Sequence, residues 1–397
     1  MDFLSQKAKN IAPSLTLTIT AKANKLKADG QDIVSFTAGE PDFNTPDFVI
    51  EAAKAALDKG FTKYTPVSGI LPLRDAICKS LKEKHGLDYA PNQIVVSCGA
   101  KHSLYNSFLA LLNEGDEVLI VSPYWLSYPE MVTLASGVPK IISTDNKSNY
   151  KLTPALLEKS ITKKTKAIVL NNPSNPSGIV YTKTELVKLA EIIEKAGIFV
   201  ISDEIYDELI YTGEVPFSLA SYSEQLKDKT VVINGVSKAY AMTGWRIGYT
   251  ASNTALATAM DNIQSQTTSN ANSIAQHASI TALTPSGKTD KFLEGLKNTF
   301  LIRRNLLCNL LDDIKLSYIK ADGAFYIMVD VSNFFGKVLG GKQINSAGDF
   351  AETLVEKALV VTIPCEAFGA NNFIRLSYAV GEEDIKKGIE RIKEFIS

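Results

Sequence analysis

The sequence predicts an α/β fold in which a mostly parallel sheet is covered by helices on both faces. Short Val/Ile-rich segments alternate with amphipathic helical segments through the middle of the chain, and such alternation is typical of parallel strands joined by crossover helices. Most of the strand segments are apolar throughout, as expected for strands that are buried on both faces. The chain has 397 residues, which is enough for two domains.

Seven strands and several helices are predicted in this middle region. The strands are expected at Ile94–Ser97, Glu117–Val121, Lys140–Ser143, Ala167–Leu170, Phe199–Ser202, Thr230–Asn234 and Arg246–Ala251. One helix is expected to begin after Thr182, because Glu185 three positions on completes a capping box, and to stop at Gly197. Another is expected over Phe48–Lys59. These elements predict a large domain over residues 46–284 with a seven-stranded sheet.

The pattern changes after residue 284, where a smaller α/β domain is predicted. A long helix, two short strand segments, a final helix and a glycine-rich surface loop are expected at Thr289–Asp313, Ala324–Val329, Leu359–Ile363, Glu382–Phe395 and Gly336–Gly341 respectively. The first 45 residues form no pattern of their own. We therefore expect residues 1–45 and 285–397 to build the small domain together.

Composition and charge argue against several classes of protein. The net charge is −1, whereas a nucleic-acid-binding protein usually presents a basic face. The four cysteines form no C-x-x-C pair and the three histidines begin no zinc motif, so we expect reduced thiols and no metal. Neither a run of about 20 apolar residues nor a signal peptide is present. These features predict a cytoplasmic protein that binds neither nucleic acid nor a membrane.

The residues that follow five of the strands suggest where the chemistry lies. In open α/β sheets, ligands bind beyond the carboxyl ends of the strands. At those positions the sequence places a glycine turn before a helix, an aromatic residue, an amide, a carboxylate with a phenol, and a lysine, namely Gly99-Ala100-Lys101, Trp125, Asn175, Asp203 with Tyr206, and Ser237-Lys238. Together these groups can hold a charged, planar ring that contains nitrogen.

Longer motifs resemble those of one enzyme family. The segments Asn172–Gly178, Ser202–Tyr206 and Ser237–Gly248 have the order and spacing seen in the fold-type I, class I aminotransferases. Thr37–Phe43 and Asn372–Tyr378 extend the resemblance over nearly the whole chain. Within the family, the sequence is most similar to the bacterial aspartate aminotransferases of the shorter-chain subgroup. The resemblance implies an enzyme that uses pyridoxal 5′-phosphate as its cofactor.

The resemblance also implies roles for the residues around the cofactor ring. Lys238 would hold pyridoxal phosphate as a Schiff base and would then move the proton of the substrate Cα. Asp203 would pair with the ring nitrogen, and Trp125 would stack on the ring. Tyr206 and Asn175 would hydrogen-bond the phenolic oxygen of the ring, which stabilises its ionised form.

The phosphate of the cofactor is expected at the start of a helix. There the backbone N–H groups of Gly99, Ala100 and Lys101 would face the anion. Ser237 would add a hydroxyl, and Arg246 would add a bidentate fork. These five residues complete the expected cofactor contacts within one chain.

Substrate contacts follow from the same resemblance. Arg375 would clamp the α-carboxylate through a planar two-point contact, and the backbone N–H of Gly39 would join it. Lys101 would bind the distal carboxylate of aspartate or glutamate, with help from the hydroxyls of Ser14 and Thr16. The full set of expected substrate-binding residues is Gly39, Trp125, Asn175, Arg375, Lys101, Ser14 and Thr16.

A second copy of the chain is the expected protein partner. Tyr64 matches the family tyrosine that reaches the phosphate of the neighbouring subunit, which implies a homodimer. The expected reaction is reversible transamination of L-aspartate and 2-oxoglutarate to oxaloacetate and L-glutamate.

Other functions stay open or are disfavoured. Aromatic amino acids, prephenate or alanine are alternative substrates, and a β-lyase is an alternative reaction on the same fold. A ligand-binding regulator is disfavoured because no DNA-binding segment is recognised. A nucleotide-binding protein is disfavoured because Gln343 replaces the hydroxyl residue that a phosphate-binding loop needs after Lys342.

Overall fold

The computed structural model describes residues 3–213 and 215–397, and its strands are short. In chain order they are β1 (Val34–Ser35), β2 (Ile94–Cys98), β3 (Glu117–Ser122), β4 (Val138–Ser143), β5 (Thr165–Asn171), β6 (Phe199–Asp203), β7 (Thr230–Gly235), β8 (Ile247–Ala251), β9 (Tyr318–Ile319), β10 (Tyr326–Asp330), β11 (Val338–Leu339), β12 (Lys342–Gln343), β13 (Val360–Val361), β14 (Ile363–Pro364) and β15 (Phe373–Ser377).

Helices separate most of the strands. In chain order they are α1 (Gln6–Asn10), α2 (Leu15–Ala28), α3 (Asp47–Asp58), α4 (Leu71–His85), α5 (Ala100–Leu111), α6 (Ser127–Leu134), α7 (Pro154–Ser160), α8 (Lys183–Ala196), α9 (Glu224–Asp228), α10 (Thr254–Ser265), α11 (Ser273–Leu283), α12 (Gly287–Asp313), α13 (Ala347–Ala358) and α14 (Glu382–Ile396).

The seven predicted middle strands form one sheet, which confirms the α/β prediction. Their order is β2-β8-β7-β6-β5-β3-β4. The pairs from β4 to β7 are parallel, whereas β8 is antiparallel to both of its neighbours. The carboxyl ends of β2, β3, β5, β6 and β7 therefore share one edge of the sheet with the start of β8. That edge is where ligands are expected.

Two details of the large sheet differ from the sequence prediction. The predicted strand at Arg246 begins one residue later, because Arg246 has a left-handed backbone (φ 58°) that does not fit an extended strand. Strand β4 is not buried on both faces, since Val138 and Ile141 are exposed. The reason is its place at the edge of the sheet.

Local capping signals position the helices as predicted. The Thr182 hydroxyl accepts from the Glu185 N–H at 3.2 Å, and the Glu185 carboxylate accepts from the Thr182 N–H at 2.7 Å. Helix α8 then ends at Gly197, whose φ of 68° glycine adopts without steric cost. The predicted helix at Thr289 begins two residues earlier, because the side chain of Ser286 caps α12.

A second, four-stranded antiparallel sheet is built from the C-terminal part of the chain, in the order β14-β15-β10-β9. The predicted strand Leu359–Ile363 is two short strands that belong to different sheets. Leu359 lies outside both, because it is left-handed (φ 55°) and ends helix α13. The predicted loop Gly336–Gly341 is part of a small hairpin, with β11 paired to β12 around Gly340 and Gly341, both of positive φ.

The N-terminal segment packs on the C-terminal part of the chain. Strand β1 pairs with β13, with Val34 opposite Val360. Phe36 is fully buried, and its ring lies so close to Gly388 of α14 that a Cβ atom there would be 2.4 Å away. This packing agrees with a small domain formed from both chain ends, and the limits of the two domains stay a prediction.

No helix within residues 3–213 and 215–397 is long and apolar enough to cross a membrane. No group of three or more His, Cys, Asp or Glu side chains within the same residues could hold a metal ion.

Candidate active site

A cavity of about 410 Å³ lies at the carboxyl edge of the large sheet, between that sheet and the small one. It gathers residues from the ends of strands β2, β3, β5, β6 and β7, from β10 and β15, and from the N-terminal segment. Its lining is Thr16, Leu17, Thr20, Thr37, Ala38, Gly39, Glu40, Ala100, Lys101, Leu104, Trp125, Tyr128, Asn171, Asn175, Asp203, Ile205, Tyr206, Ser237, Lys238, Thr243, Arg246, Tyr326 and Arg375.

Lys238 follows β7 and points its amine into the cavity. Its Nζ donates to the backbone carbonyl of Gly39 at 2.6 Å. Burial lowers the pKa of this amine to about 8, and the positive charges of Arg246 and Arg375 act in the same direction. An amine with this pKa is partly neutral in mildly alkaline solution, as a nucleophile or a base must be.

Asp203 ends β6 and lies under the same cavity. Its Oδ2 accepts from the Tyr128 hydroxyl at 2.6 Å, and its Oδ1 accepts from the backbone N–H of Ile205 at 3.3 Å. Burial raises the pKa of this carboxyl to about 6. A buried carboxylate of this kind is stabilised by a cationic partner, such as a protonated ring nitrogen.

Two further polar groups surround the cavity. The Tyr206 hydroxyl lies 3.1 Å from the Tyr326 hydroxyl, and burial raises the pKa of both phenols. The Oδ1 of Asn175 accepts from Arg375 at 3.0 Å, and its backbone N–H donates to Asn171 at 2.8 Å. The amide is thus held between the large sheet and Arg375.

Trp125 forms an aromatic wall of the cavity. The edge of Tyr128 packs against it, with ring centres 5.4 Å apart and planes at 85°. Lys101 lies against Trp125, with its ammonium 4.7 Å from the centre of the ring. Partial burial lowers the pKa of Lys101, and the charge of Arg246 adds to this effect.

A glycine turn suited to an anion lies where β2 meets α5. Gly99 has a φ of 86°, and a Cβ atom on it would be 2.4 Å from Nη2 of Arg246. The Arg246 side chain is held by hydrogen bonds to the carbonyls of Thr243 (2.8 Å) and Cys98 (3.3 Å). A guanidinium thus stands over the N-terminus of a helix, where unpaired N–H groups and the helix dipole already favour a phosphate.

Arg375 lies on β15 and is 3% exposed. Its Nη1 donates to Asn175, its Nη2 donates to the carbonyl of Thr37 at 3.3 Å, and its Nε is buried without a partner. No carboxylate of the described residues lies within ion-pair distance of it. Since burying a charge without an ion-pair partner is costly, this guanidinium is suited to an anion with two oxygens, such as an amino-acid carboxylate.

Most of the residues predicted for the site line this cavity. Three of them do not. Ser14 contacts Thr16 instead, with hydroxyls 3.2 Å apart. Gly99 lies behind the guanidinium of Arg246. Tyr64 is 91% exposed and lies outside the cavity of its own chain, so its contact with a partner stays a prediction.

Several lining residues were not predicted from the sequence. Tyr128 and Tyr326 contact predicted residues directly. Glu40 lies inside the motif Thr37–Phe43, and its carboxylate accepts from the Thr243 hydroxyl. The position of Tyr128 three residues after Trp125 was the one available signal, because this spacing places two side chains on the same face of a helical turn.

Fold and site together define an aminotransferase. The sequence model of the family described as aminotransferase class I and II matches residues 31–392. The chain belongs to this family.

Individual relatives match over their full length. An aspartate aminotransferase of Bacillus sp. (strain YM-2) is 45% identical over 396 residues, which covers 100% of this chain and 99% of that protein. A probable aspartate/prephenate aminotransferase of Aquifex aeolicus is 44% identical, with 98% of each chain covered. The solved structure of aspartate aminotransferase from Thermus thermophilus with maleate superposes with a TM-score of 0.94 at 39% identity and covers 100% of both chains.

Proposed function

We propose that this protein is a pyridoxal-phosphate-dependent aspartate aminotransferase, which converts L-aspartate and 2-oxoglutarate to oxaloacetate and L-glutamate. The observation that carries the proposal is one cavity lined by the half-buried Lys238, the buried carboxylate of Asp203 and the buried guanidinium of Arg375, which has no ion-pair partner among the described residues. Relatives of 42–45% identity that bear the name aspartate aminotransferase support the choice of substrate.

The residues present fit the cofactor. The helix start at Ala100, with Ser237 and Arg246 beside it, suits a phosphate ester. The aromatic face of Trp125 suits a planar ring, and the buried carboxylate of Asp203 suits a protonated ring nitrogen. When bound, pyridoxal phosphate supplies an electron sink for the electron pair left on the substrate Cα after its proton departs.

The chain's own residues would do the remaining work. Lys238 would hold the cofactor covalently until the substrate displaces it. Its free Nζ would then take the proton from the substrate Cα and later release it at a different atom. Arg375 would fix the α-carboxylate, which orients Cα toward Lys238. Asp203 would keep the ring nitrogen protonated through its buried negative charge.

Lys101 and Thr16 would recognise the second carboxylate of an acidic substrate. Both line the cavity, and Ser14 supports Thr16 through its hydroxyl contact. Lys101 lies at the mouth of the site, where a distal carboxylate would replace the solvent around its ammonium. This placement favours dicarboxylic over aromatic amino acids.

The test is the absorption spectrum of the cofactor-loaded protein before and after L-aspartate is added without an oxo acid. We expect the band of the lysine-bound cofactor to give way to that of its amino form, with one equivalent of oxaloacetate released. If only phenylalanine or alanine converted the band, the protein would still be an aminotransferase, but the proposed preference for acidic substrates would be rejected. Release of ammonia and pyruvate would indicate a lyase, and no response to any amino acid would reject the role of Lys238.

Lys101→Ala tests the specificity directly. Loss of a charge-assisted contact is expected to lower kcat/KM for aspartate by about 10- to 100-fold, while kcat/KM for phenylalanine changes by less than about threefold. The matched control is Lys79→Ala, which removes an exposed lysine of α4 that pairs with Glu83. Equal losses for both substrates would contradict the proposed role of Lys101.

We further propose that the enzyme is a homodimer in which Tyr64 of each chain reaches the phosphate of the other. The support is the family resemblance, together with the exposed position of Tyr64, which does not line the cavity of its own chain.

A further inference from the structure

Tyr326 is a buried residue with contacts on several sides of the cavity. It lies on β10, and its hydroxyl is 3.1 Å from the hydroxyl of Tyr206. The guanidinium of Arg375 lies 4.4 Å from the centre of its ring. A Cβ atom on Gly39 would be 3.9 Å from the Tyr326 hydroxyl. One side chain thus touches the proposed substrate clamp and a proposed cofactor contact, and it lies beside Gly39 of the N-terminal segment.

The pairing of β10 with β15 fixes this arrangement. Met328 lies opposite Arg375, and Tyr326 lies opposite Ser377. Tyr326 and Arg375 are therefore diagonal neighbours on one face of an antiparallel pair, a distance that aromatic and long side chains can span. The stacking follows from the register of the small sheet and does not depend on a flexible loop.

We propose that Tyr326 is a positioning residue that joins the carboxylate clamp of Arg375 to the hydroxyl of Tyr206. This inference rests on the proposed function. A phenol has one O–H to donate, and its oxygen can accept as well. Because Tyr206 is proposed to donate to the phenolic oxygen of the cofactor, Tyr326 must donate to Tyr206 across the 3.1 Å contact. A hydroxyl that accepts in this way becomes a stronger donor itself.

The charge of Arg375 acts on this relay. Burial raises the pKa of Tyr326, and the Arg375 cation over its ring acts in the opposite direction, which makes Tyr326 a better donor. A substrate carboxylate bound to Arg375 would neutralise part of that charge. Occupancy of the clamp would thereby be transmitted to Tyr206. The other charged groups that face this region are Asp203 at the end of β6, Glu40 on the N-terminal segment and Lys238 after β7.

Two variants separate the hydroxyl of Tyr326 from its ring. Tyr326→Phe keeps the surface under Arg375 and removes the donor to Tyr206. Tyr326→Leu removes both. The matched control is Tyr378→Phe, a buried tyrosine next to β15 whose hydroxyl donates to the Ala324 carbonyl at 3.2 Å and does not line the cavity.

The measurements are made on the cofactor-loaded protein without turnover. One is the pH titration of the absorption of the bound cofactor, and the other is its affinity for maleate, a dicarboxylate probe. Tyr326→Phe is expected to raise the proton affinity of the lysine-bound cofactor about fivefold, because Tyr206 then stabilises the ionised ring oxygen less. It should change the maleate Kd by less than about twofold, whereas Tyr326→Leu should weaken maleate about tenfold through loss of the cation–π contact.

The outcomes distinguish the relay from the function on which it rests. A Tyr326→Phe titration that coincides with those of the wild type and Tyr378→Phe would overturn the relay. So would maleate binding to Tyr326→Leu with wild-type affinity. A wild-type protein that shows no titrating cofactor band would overturn the proposed function, and the relay would fall with it.

Discussion

Asp203 and Lys238 are opposite charges that the fold buries around one cavity. Burial raises the pKa of the carboxyl to about 6 and lowers that of the amine to about 8. Each group is therefore destabilised in its charged form while the cavity holds only protein groups. Residues tuned in this way usually serve chemistry at a stability cost.

The pH dependence of stability follows from Asp203. Its folded pKa lies above the ordinary value of 3.8, so the stability that its protonated form contributes is complete below about pH 4 and is lost as the pH rises through about 6. At pH 8 the carboxylate costs about 3 kcal/mol, and at pH 5 about half as much.

Asp203→Asn is therefore expected to make the cofactor-free protein more stable at pH 8, with a smaller gain at pH 5, while cofactor binding weakens. Urea unfolding at the two pH values measures the gain. Asp88→Asn, at an exposed carboxylate that pairs with Lys82, is the control and should show no such gain. A loss of stability at pH 8 in the Asp203 variant would mean that the Tyr128 hydrogen bond outweighs burial.

At the residue scale, the sequence predicts the residues of the motifs but not Tyr128 and Tyr326, which contact them. Lys238 and Asp203 were predictable because they follow strands whose ends converge. Tyr326 was not, since its contact with Arg375 depends on the register of two strands that the sequence pattern does not specify. Tyr128 was missed because its hydroxyl reaches Asp203 across 75 residues of chain.

At the scale of elements, β8 lies close against the start of α5. A Cβ atom on Gly248 would lie 2.1 Å from the backbone nitrogen of Ala100. That nitrogen belongs to rigid backbone, so it cannot move aside as a flexible side chain would. Gly248 thus lets the strand touch the helix N-terminus that is proposed to bind phosphate.

Gly248→Ala is expected to lower the free energy of unfolding by about 1–3 kcal/mol through overpacking and to weaken the retention of phosphate-bearing cofactor by at least about tenfold. Gly244→Ala is the matched control, because nothing lies within 4 Å of the added Cβ atom there. Denaturant unfolding and cofactor titration measure both effects. If the two alanine variants had the same free energy of unfolding and retained the cofactor equally, the proposed role of Gly248 would be contradicted.

The sequence predicted elements better than their arrangement. The seven strands were recognisable because their residues are apolar and β-branched. Their order in the sheet was not, since β8 pairs with β2, which lies far back in the chain. Element boundaries such as the one at Leu359, between α13 and β13, lie at single residues with left-handed backbones, which apolar patterns do not reveal.

At the scale of the whole molecule, the cavity lies between two sheets, and several contacts join the residues in and around it to the N-terminal segment. Lys238 donates to the carbonyl of Gly39, the Thr243 hydroxyl donates to Glu40, and Arg303 pairs with Asp42 at 2.7 Å. These contacts position the backbone that is proposed to meet the substrate carboxylate.

The proposed dimer gives the last prediction. Tyr64→Phe is expected to raise the Kd for pyridoxal phosphate by about 10- to 100-fold, because a hydrogen bond to a charged phosphate is lost. Tyr222→Phe, at a half-buried tyrosine outside the cavity, should leave the Kd unchanged. Sedimentation should show a dimer at concentrations where the cofactor is retained. A monomer that retains cofactor, or an unchanged Kd in the Tyr64 variant, would contradict the proposal.

The proposed site draws on groups that are widely separated along the chain. Arg246 and Cys98 are 148 residues apart, and Arg375 and Asn175 are 200 residues apart. A nascent chain on the ribosome that has just exposed Lys238 still lacks the arginine of the phosphate site and the arginine of the substrate clamp. Because such long-range contacts form slowly and late, the lysine would emerge well before the groups that control its reactivity. A chain released before residue 375 would carry Lys238 without the arginine that is proposed to bind its substrate.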